Sequence, residues 1–206
     1  VFRKLDFGKF TIRINNRKVL NGFFESLGLE NQISDILRNI DKLDKIGKDN
    51  VITELEKLEI DSDKIKSIID FISITGSESE KISALKALNI ENEKFNEGVC
   101  ELEKVTEYMK AFGIEEDYFT IDLTIARGLD YYTGTVYETV LDDYRSLGSV
   151  CSGGRYDNLT EYYTNTKLPG IGISIGLTRL FSQLKDAGII KAERASLVDC
   201  LVVPMG

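Results

Sequence analysis

The apolar residues of this chain change their spacing twice. From 41 to 116 they recur every three or four positions throughout, as on helices, whereas on either side there are also stretches in which they alternate with polar residues, as on strands. A helical block therefore interrupts a mixed framework. Charge follows the same boundaries. The 206 residues carry 26 Lys and Arg against 34 Asp and Glu, a net −8; the block holds 11 against 19, which is the whole excess, and 15 of each lie elsewhere. The expected fold class is α+β, an antiparallel sheet with flanking helices plus an inserted all-helical domain. The expected divisions are 1–40 for a strand and helices, 41–116 for the insertion, 117–190 for the sheet and a closing helix, and 191–206 for a linker and a last strand.

Within the framework, Phe10, Ile12 and Ile14 line one face of a strand at 7–14. Asn15 or Asn16 can cap a helix with an apolar stripe of Val19, Leu20, Phe23, Phe24 and Leu27, closed by Gly28. A further framework helix is carried by Ile33, Ile36, Leu37 and Ile40, and the block contains helices on Val51, Ile52, Leu55 and Leu58, on Ile65 to Ile72, on 78–88, and a long one over 92–112 stopped by Gly113. Beyond 117 the spacing predicts strands at 119–125, 133–141, 148–151 and 170–176. Residues 142–146 serve as a hairpin connection, 177–187 form a helix, and 197–203 read as a buried strand.

Composition removes several kinds of chemistry. The chain has no His, so Ser/His/Asp triads, Cys/His pairs, His-ligated zinc and an imidazole base are excluded within it. Cys100, Cys151 and Cys200 are odd in number and widely spaced, which fits structural thiols and no metal site. No apolar run approaches the ~18 residues of a membrane span, and the expected location is the cytoplasm.

Three segments remain as carriers of chemistry. In Ala126-Arg127-Gly128-Leu129-Asp130-Tyr131-Tyr132-Thr133-Gly134 a guanidinium at a strand end can meet a carboxylate or phosphate. Adjacent tyrosines on an extended chain would point to opposite sides, and a surface turn with buried rings explains the same residues. In Ser152-Gly153-Gly154-Arg155-Tyr156-Asp157 the small residues admit a ligand, a neighbouring strand or a tight turn. In 170–181 the glycines alternate as Gly170, Gly172, Ser174 and Gly176, leaving one strand face bare for a flat ring, and Arg179 follows in the first helical turn.

Taken in order, these segments resemble the histidyl-tRNA synthetase family. The first two are similar to its two histidine-specific signatures, and the third to the third motif of class II aminoacyl-tRNA synthetases. The likeness extends to Phe10-Thr11-Ile12-Arg13-Ile14-Asn15-Asn16-Arg17-Lys18-Val19-Leu20 and to Asp41-Lys42-Leu43-Asp44-Lys45-Ile46. It implies activation of histidine with ATP and Mg2+, transfer to tRNA(His), and a homodimeric full-length protein. By position, Arg127 matches the catalytic arginine between the histidine carboxylate and the ATP α-phosphate. Tyr131 and Tyr132 match the pair that lines the histidine pocket, and Gly153 and Gly154 its floor. Gly170, Gly172, Ser174 and Gly176 match the adenosine platform, and Arg179 the arginine at the γ-phosphate.

The first and second class II motifs have no match before Phe7, and the anticodon-binding domain none beyond one strand, so the resemblance implies a fragment, inactive alone. A competing reading is the non-catalytic relative that regulates the first enzyme of histidine biosynthesis. That relative is expected to lack a full insertion, and regulation does not require Arg127 with Tyr131 and Tyr132. The acidic block also argues against simple electrostatic attraction of tRNA; Lys42, Lys45 and Lys48 could form a basic stripe on a continuous helix, but a solvated face is the favoured reading of them.

Overall fold

A computed structural model describes residues 1–126, 131–158, 161, 163–166, 168–191, 198, 200 and 202–204. A short helix α1 (Phe2–Leu5) precedes β1 (Phe10–Asn16), and α2 (Arg17–Ser26) follows with no intervening residue. The two join directly because Asn16 is both the last residue of the strand and the cap of the helix, its side chain accepting the Lys18 amide at 2.9 Å. Gly28 closes the turn at φ 68°, where a Cβ would be strained.

Helix α3 (Ile33–Ile40) leads into the helical block, which comprises α4 (Leu43–Ile46), α5 (Lys48–Glu56), α6 (Ser62–Ile72), α7 (Glu78–Ala87) and the 19-residue α8 (Glu93–Ala111). Ser77 and Glu80 form a capping box at the start of α7. The short α4 is an addition to the sequence expectation. It stops at Gly47, whose φ is 80°, so Lys42, Lys45 and Lys48 do not share a continuous helix and the basic stripe does not form.

The framework resumes with β2 (Phe119–Ile121), β3 (Thr135–Leu141), β4 (Ser149–Tyr156), β5 (Gly170–Ile175) and α9 (Leu177–Asp186). Strand order is β2-β1-β3-β4-β5, antiparallel throughout except for β1 and β2, which run parallel with Ile12 opposite Phe119 and Ile14 opposite Ile121. The parallel pair follows from the helices between those strands, which form a crossover and return the chain in its original direction.

Four other expectations change. The strand at 119–125 ends at Ile121, because the Asp122 carboxylate accepts the amide and hydroxyl of Thr124 and turns the chain. The connection 142–146 is part of a 3₁₀ segment, Asp142–Leu147. The strand at 148–151 runs on to Tyr156, so Gly153 and Gly154 lie in a strand and not in a turn. At 197–203 the described residues are not strand, and Val198, Val202 and Val203 are exposed.

The back of the sheet and the helical block share one apolar core. It runs from Ile14, Leu20 and Phe24 through Ile36, Leu55, Ile68 and Leu102 to Ile121. Phe23 of α2 stacks on Phe71 of α6 with centroids 3.9 Å apart. Helices α2 and α8 cross in backbone contact: a Cβ at Gly98 would lie 2.6 Å from the Val19 amide, and one at Gly22 would collide with the backbone of Phe95. A smaller cluster of Leu141, Val150, Leu180 and Leu184 seats α9 beneath β3 and β4.

Past β2 the sheet is closed by side chains. The Glu78 carboxylate accepts the Ile121 amide at 2.5 Å, and the Lys81 ammonium donates to the Ile121 carbonyl at 2.9 Å and to the Thr120 hydroxyl. The two side chains pair with each other at 3.1 Å and are only 9% and 10% exposed. Among the described residues no helix is long and apolar enough to cross a membrane.

Candidate functional site

Strand register sorts the framework side chains onto two faces, because residues directly opposite one another point the same way. Thr11, Arg13 and Asn15 of β1 share the front with Val136 and Glu138 of β3, Ser152, Gly154 and Tyr156 of β4, and Gly170, Gly172 and Ser174 of β5. The back carries Ile12, Ile14 and Tyr137 into the core. Of the sequence-selected residues, Gly154, Gly170, Gly172 and Ser174 belong to the front by register.

Tyr132 lies on Gly154. A Cβ at Gly154 would stand 2.8 Å from the ring's Cδ1, so only glycine lets the ring settle on the strand. Tyr131 does not point the opposite way as an extended chain would require. It sits in a turn, and its ring is 4.3 Å from that of Tyr132, tilted by 50°. Burial and a hydrogen bond with Tyr131 push the Tyr132 hydroxyl pKa well up, so it is neutral at physiological pH and able to donate or accept. The segment is secured just beyond: the Thr133 amide donates to the Arg155 carbonyl at 2.9 Å, and the Thr133 hydroxyl donates to Asp157 at 2.7 Å. Arg155 adds a 3.0 Å ion pair to that carboxylate.

Gly153 has a different task from Gly154, since neighbouring strand residues face opposite ways. Its missing side chain lets the Tyr137 hydroxyl reach across β4 and donate to the Gly172 carbonyl at 2.7 Å. On the front, the Tyr156 ring covers Gly170 and Gly172; a Cβ at Gly172 would be 3.2 Å from it, and one at Gly170 would collide with it. The bare strip continues to Ser174 and Gly176, both exposed, and Arg179 in the first turn of α9 is also exposed. Tyr156 is thus a part of this surface that spacing did not single out, although its position in register with Gly170 supplies the signal. Arg127 lies outside the described residues, as do Gly128, Leu129 and Asp130.

Sequence reasoning also missed a cleft of about 950 Å³ on the same face, lined by Thr11, Arg13, Asp44, Asp122, Glu138 and Ser149 among others. Arg13 is its centre. Its Nε donates to Asp122 at 2.6 Å, Nη1 to Asp44 and Glu138 at 3.1 Å each, and Nη2 to the Thr124 hydroxyl at 3.0 Å. Burial would raise the Asp122 pKa, but Arg13 and the two bonds from Thr124 outweigh it and hold it below the usual carboxylate value. A depressed folded-state pKa means the stability from this carboxylate is complete above about pH 4 and is lost as pH falls through the lower folded value. Acid titration of Asp122→Asn should therefore lose less stability below about pH 4 than the unaltered chain does. Parallel acid-unfolding curves would show that the group is not depressed. Among the described residues no group of three or more acidic, thiol or imidazole side chains could hold a metal ion.

Comparison with known proteins gives a consistent picture. The family model described as histidyl-tRNA synthetase matches residues 1–180. A histidine--tRNA ligase of Clostridium tetani is 61% identical over all of this chain, which spans 47% of that relative. The crystal structure of histidyl-tRNA synthetase from Nostoc sp. PCC 7120 superposes on 92% of this chain, and 45% of its own, with a TM-score of 0.89 and 51% identity. An ATP phosphoribosyltransferase regulatory subunit/histidyl-tRNA synthetase from Bacillus halodurans C superposes on 89% of this chain and 46% of its own with a TM-score of 0.71. At 22% identity that last likeness is one of fold alone. The chain spans about half the length of the curated relatives it matches.

Proposed function

The chain belongs to the histidyl-tRNA synthetase family, and from that premise we propose that it supplies part of the site of a histidine-tRNA ligase. The observation that carries the reading is the front face. Tyr131, Tyr132 and Gly154 meet there beside Tyr156 and the strip of Gly170, Gly172, Ser174 and Gly176. An aromatic pair with a neutral hydroxyl suits an imidazole, and a strand face with little side chain suits a flat base.

In the proposed reaction the histidine carboxylate attacks the α-phosphorus of ATP, and pyrophosphate leaves. A ribose hydroxyl at the end of tRNA(His) then attacks the acyl carbon of histidyl-adenylate, and AMP leaves. Arg127 bridges the carboxylate and the α-phosphate, where negative charge gathers as the new bond forms. Tyr131 and Tyr132 hold the imidazole with Gly153 and Gly154 as the floor, Gly154 serving as the seat of the Tyr132 ring. Gly170, Gly172, Ser174 and Gly176 receive adenosine, which meets or displaces the Tyr156 ring, and Arg179 receives the γ-phosphate. ATP is delivered with Mg2+, and no described residue is assigned to the ion. The homodimer and a cytoplasmic location belong to the same proposal, as do the divisions at 40, 116 and 190.

Isotope exchange between pyrophosphate and ATP tests it. The whole polypeptide should support exchange with histidine and not with the other amino acids. These 206 residues alone should stay at background, because charge stabilisation is not additive when a site is divided. Exchange that ignores histidine would overturn the reading. Histidine-dependent exchange by the 206 residues alone would overturn the division of the site.

A further inference from the structure

The segment that enters the Arg127 motif is anchored residue by residue to one strand. The Asp122 amide donates to the Ile14 carbonyl at 2.8 Å, and the buried Asn15 side chain donates to the Ile125 carbonyl at 3.0 Å. Between those backbone ties, Arg13 grips Asp122 at 2.6 Å and the Thr124 hydroxyl at 3.0 Å. Asp122 and Thr124 are in turn bonded to each other through the amide and hydroxyl of Thr124 at 2.9 and 2.5 Å. Ile125 and Ala126 are 3% and 1% exposed, so the anchoring lasts to the residue before Arg127. One guanidinium fastens both ends of the three-residue turn Asp122-Leu123-Thr124, and only Ile125 and Ala126 separate Thr124 from Arg127.

We propose that Arg13 is a positioning residue for histidine activation: by clamping Asp122 and Thr124 it sets where the chain enters the Arg127 motif. The inference rests on the functional reading above. A guanidinium suits the task because its donors are coplanar and fixed relative to one another, so Asp122 and Thr124 cannot move independently. Asp44 and Glu138 share Nη1 and leave Nε and Nη2 to the turn. Thr124→Val keeps the shape of the side chain and the Arg13–Asp122 pair while removing the hydroxyl from both of its partners. Asp44 lies on the other side of the guanidinium with a largely exposed side chain, and serves as the control.

The experiment measures histidine-dependent pyrophosphate exchange in the whole polypeptide for Arg13→Gln, Arg13→Lys, Thr124→Val, Asp44→Ala and Arg127→Ala. A displacement of about 1 Å at a reacting group costs up to about 100-fold. Arg13→Gln and Thr124→Val are therefore expected to lower kcat/KM for histidine by about 10- to 100-fold while KM for ATP holds. Arg13→Lys should recover part of the loss, and Asp44→Ala should match the unaltered protein. A folded Thr124→Val protein with full activity overturns the inference, whether or not Arg13→Gln folds. Equal losses toward histidine and ATP overturn it as well, since they mark general destabilisation. Full activity in Arg127→Ala overturns the functional reading and this inference with it, whereas loss in Arg127→Ala beside full activity in Thr124→Val overturns this inference alone.

Discussion

Arg127→Ala in the whole polypeptide is expected to slow single-turnover formation of histidyl-adenylate by about 10²- to 10³-fold, roughly 3 to 4 kcal/mol, with ATP affinity little changed. The asymmetry follows from when the charge is needed. Bound ATP already has its phosphates compensated by several groups, whereas negative charge on the α-phosphate oxygens rises as the carboxylate oxygen attacks. A guanidinium held at that point gains interaction energy on the way to the transition state. Its removal therefore lowers the rate more than the binding. Rapid-quench measurement of adenylate at saturating ATP and histidine separates the two effects. An unchanged rate with weakened ATP binding would assign Arg127 to nucleotide capture.

Lys81→Met is the corresponding test of the fold, with an expected loss of about 3 to 5 kcal/mol of stability. Lys81 and Glu78 are both nearly buried and paired at 3.1 Å, and each also serves the backbone of Ile121. Removing the ammonium leaves a carboxylate without its countercharge and a carbonyl without its donor. The double substitution Lys81→Met with Glu78→Gln should cost less than the single one, because no uncompensated charge remains inside. Urea denaturation reads both as midpoint shifts at constant slope. A single-substitution loss below about 1 kcal/mol, the range of exposed pairs, would show that water reaches the site.

The sequence exposes what depends on local spacing. The apolar stripes of α2, α3, α6 and α8, the Asn16 cap and the stop at Gly28 all repeat within a few residues, and each lies where the pattern puts it. Contacts set by pairing between distant segments were not legible. The stretch from Ser152 to Gly154 suits a strand or a turn until β5 lies alongside it. The two tyrosines appear opposed until the turn at Tyr131 is known. The Arg13 cluster draws on residues 13, 44, 122, 124 and 138, and only the crossover through the helices brings them together. Family resemblance pointed to the front-face residues, but it did not separate Gly153 from Gly154, a distinction that needs the sheet's two faces.

Phe23 stacks on Phe71 and α8 lies in backbone contact with α2, so these helices and the framework bury each other. Apolar area removed from water at such a junction stabilises both sides at once.

The sheet is a structure with a direction. At β2 the Ile121 amide and carbonyl are already occupied by Glu78 and Lys81, so another chain arriving there would have to displace a buried ion pair before gaining a hydrogen bond. At β5 the order ends on a strand whose Ile171 and Ile173 are each 68% exposed, with no charged side chain from Gly170 to Ile175 to repel a neighbour. Such an edge invites pairing. Any lengthening of this sheet, whether by a strand of the same protein or by an aggregating copy, would therefore proceed from β5 outward and not from β2.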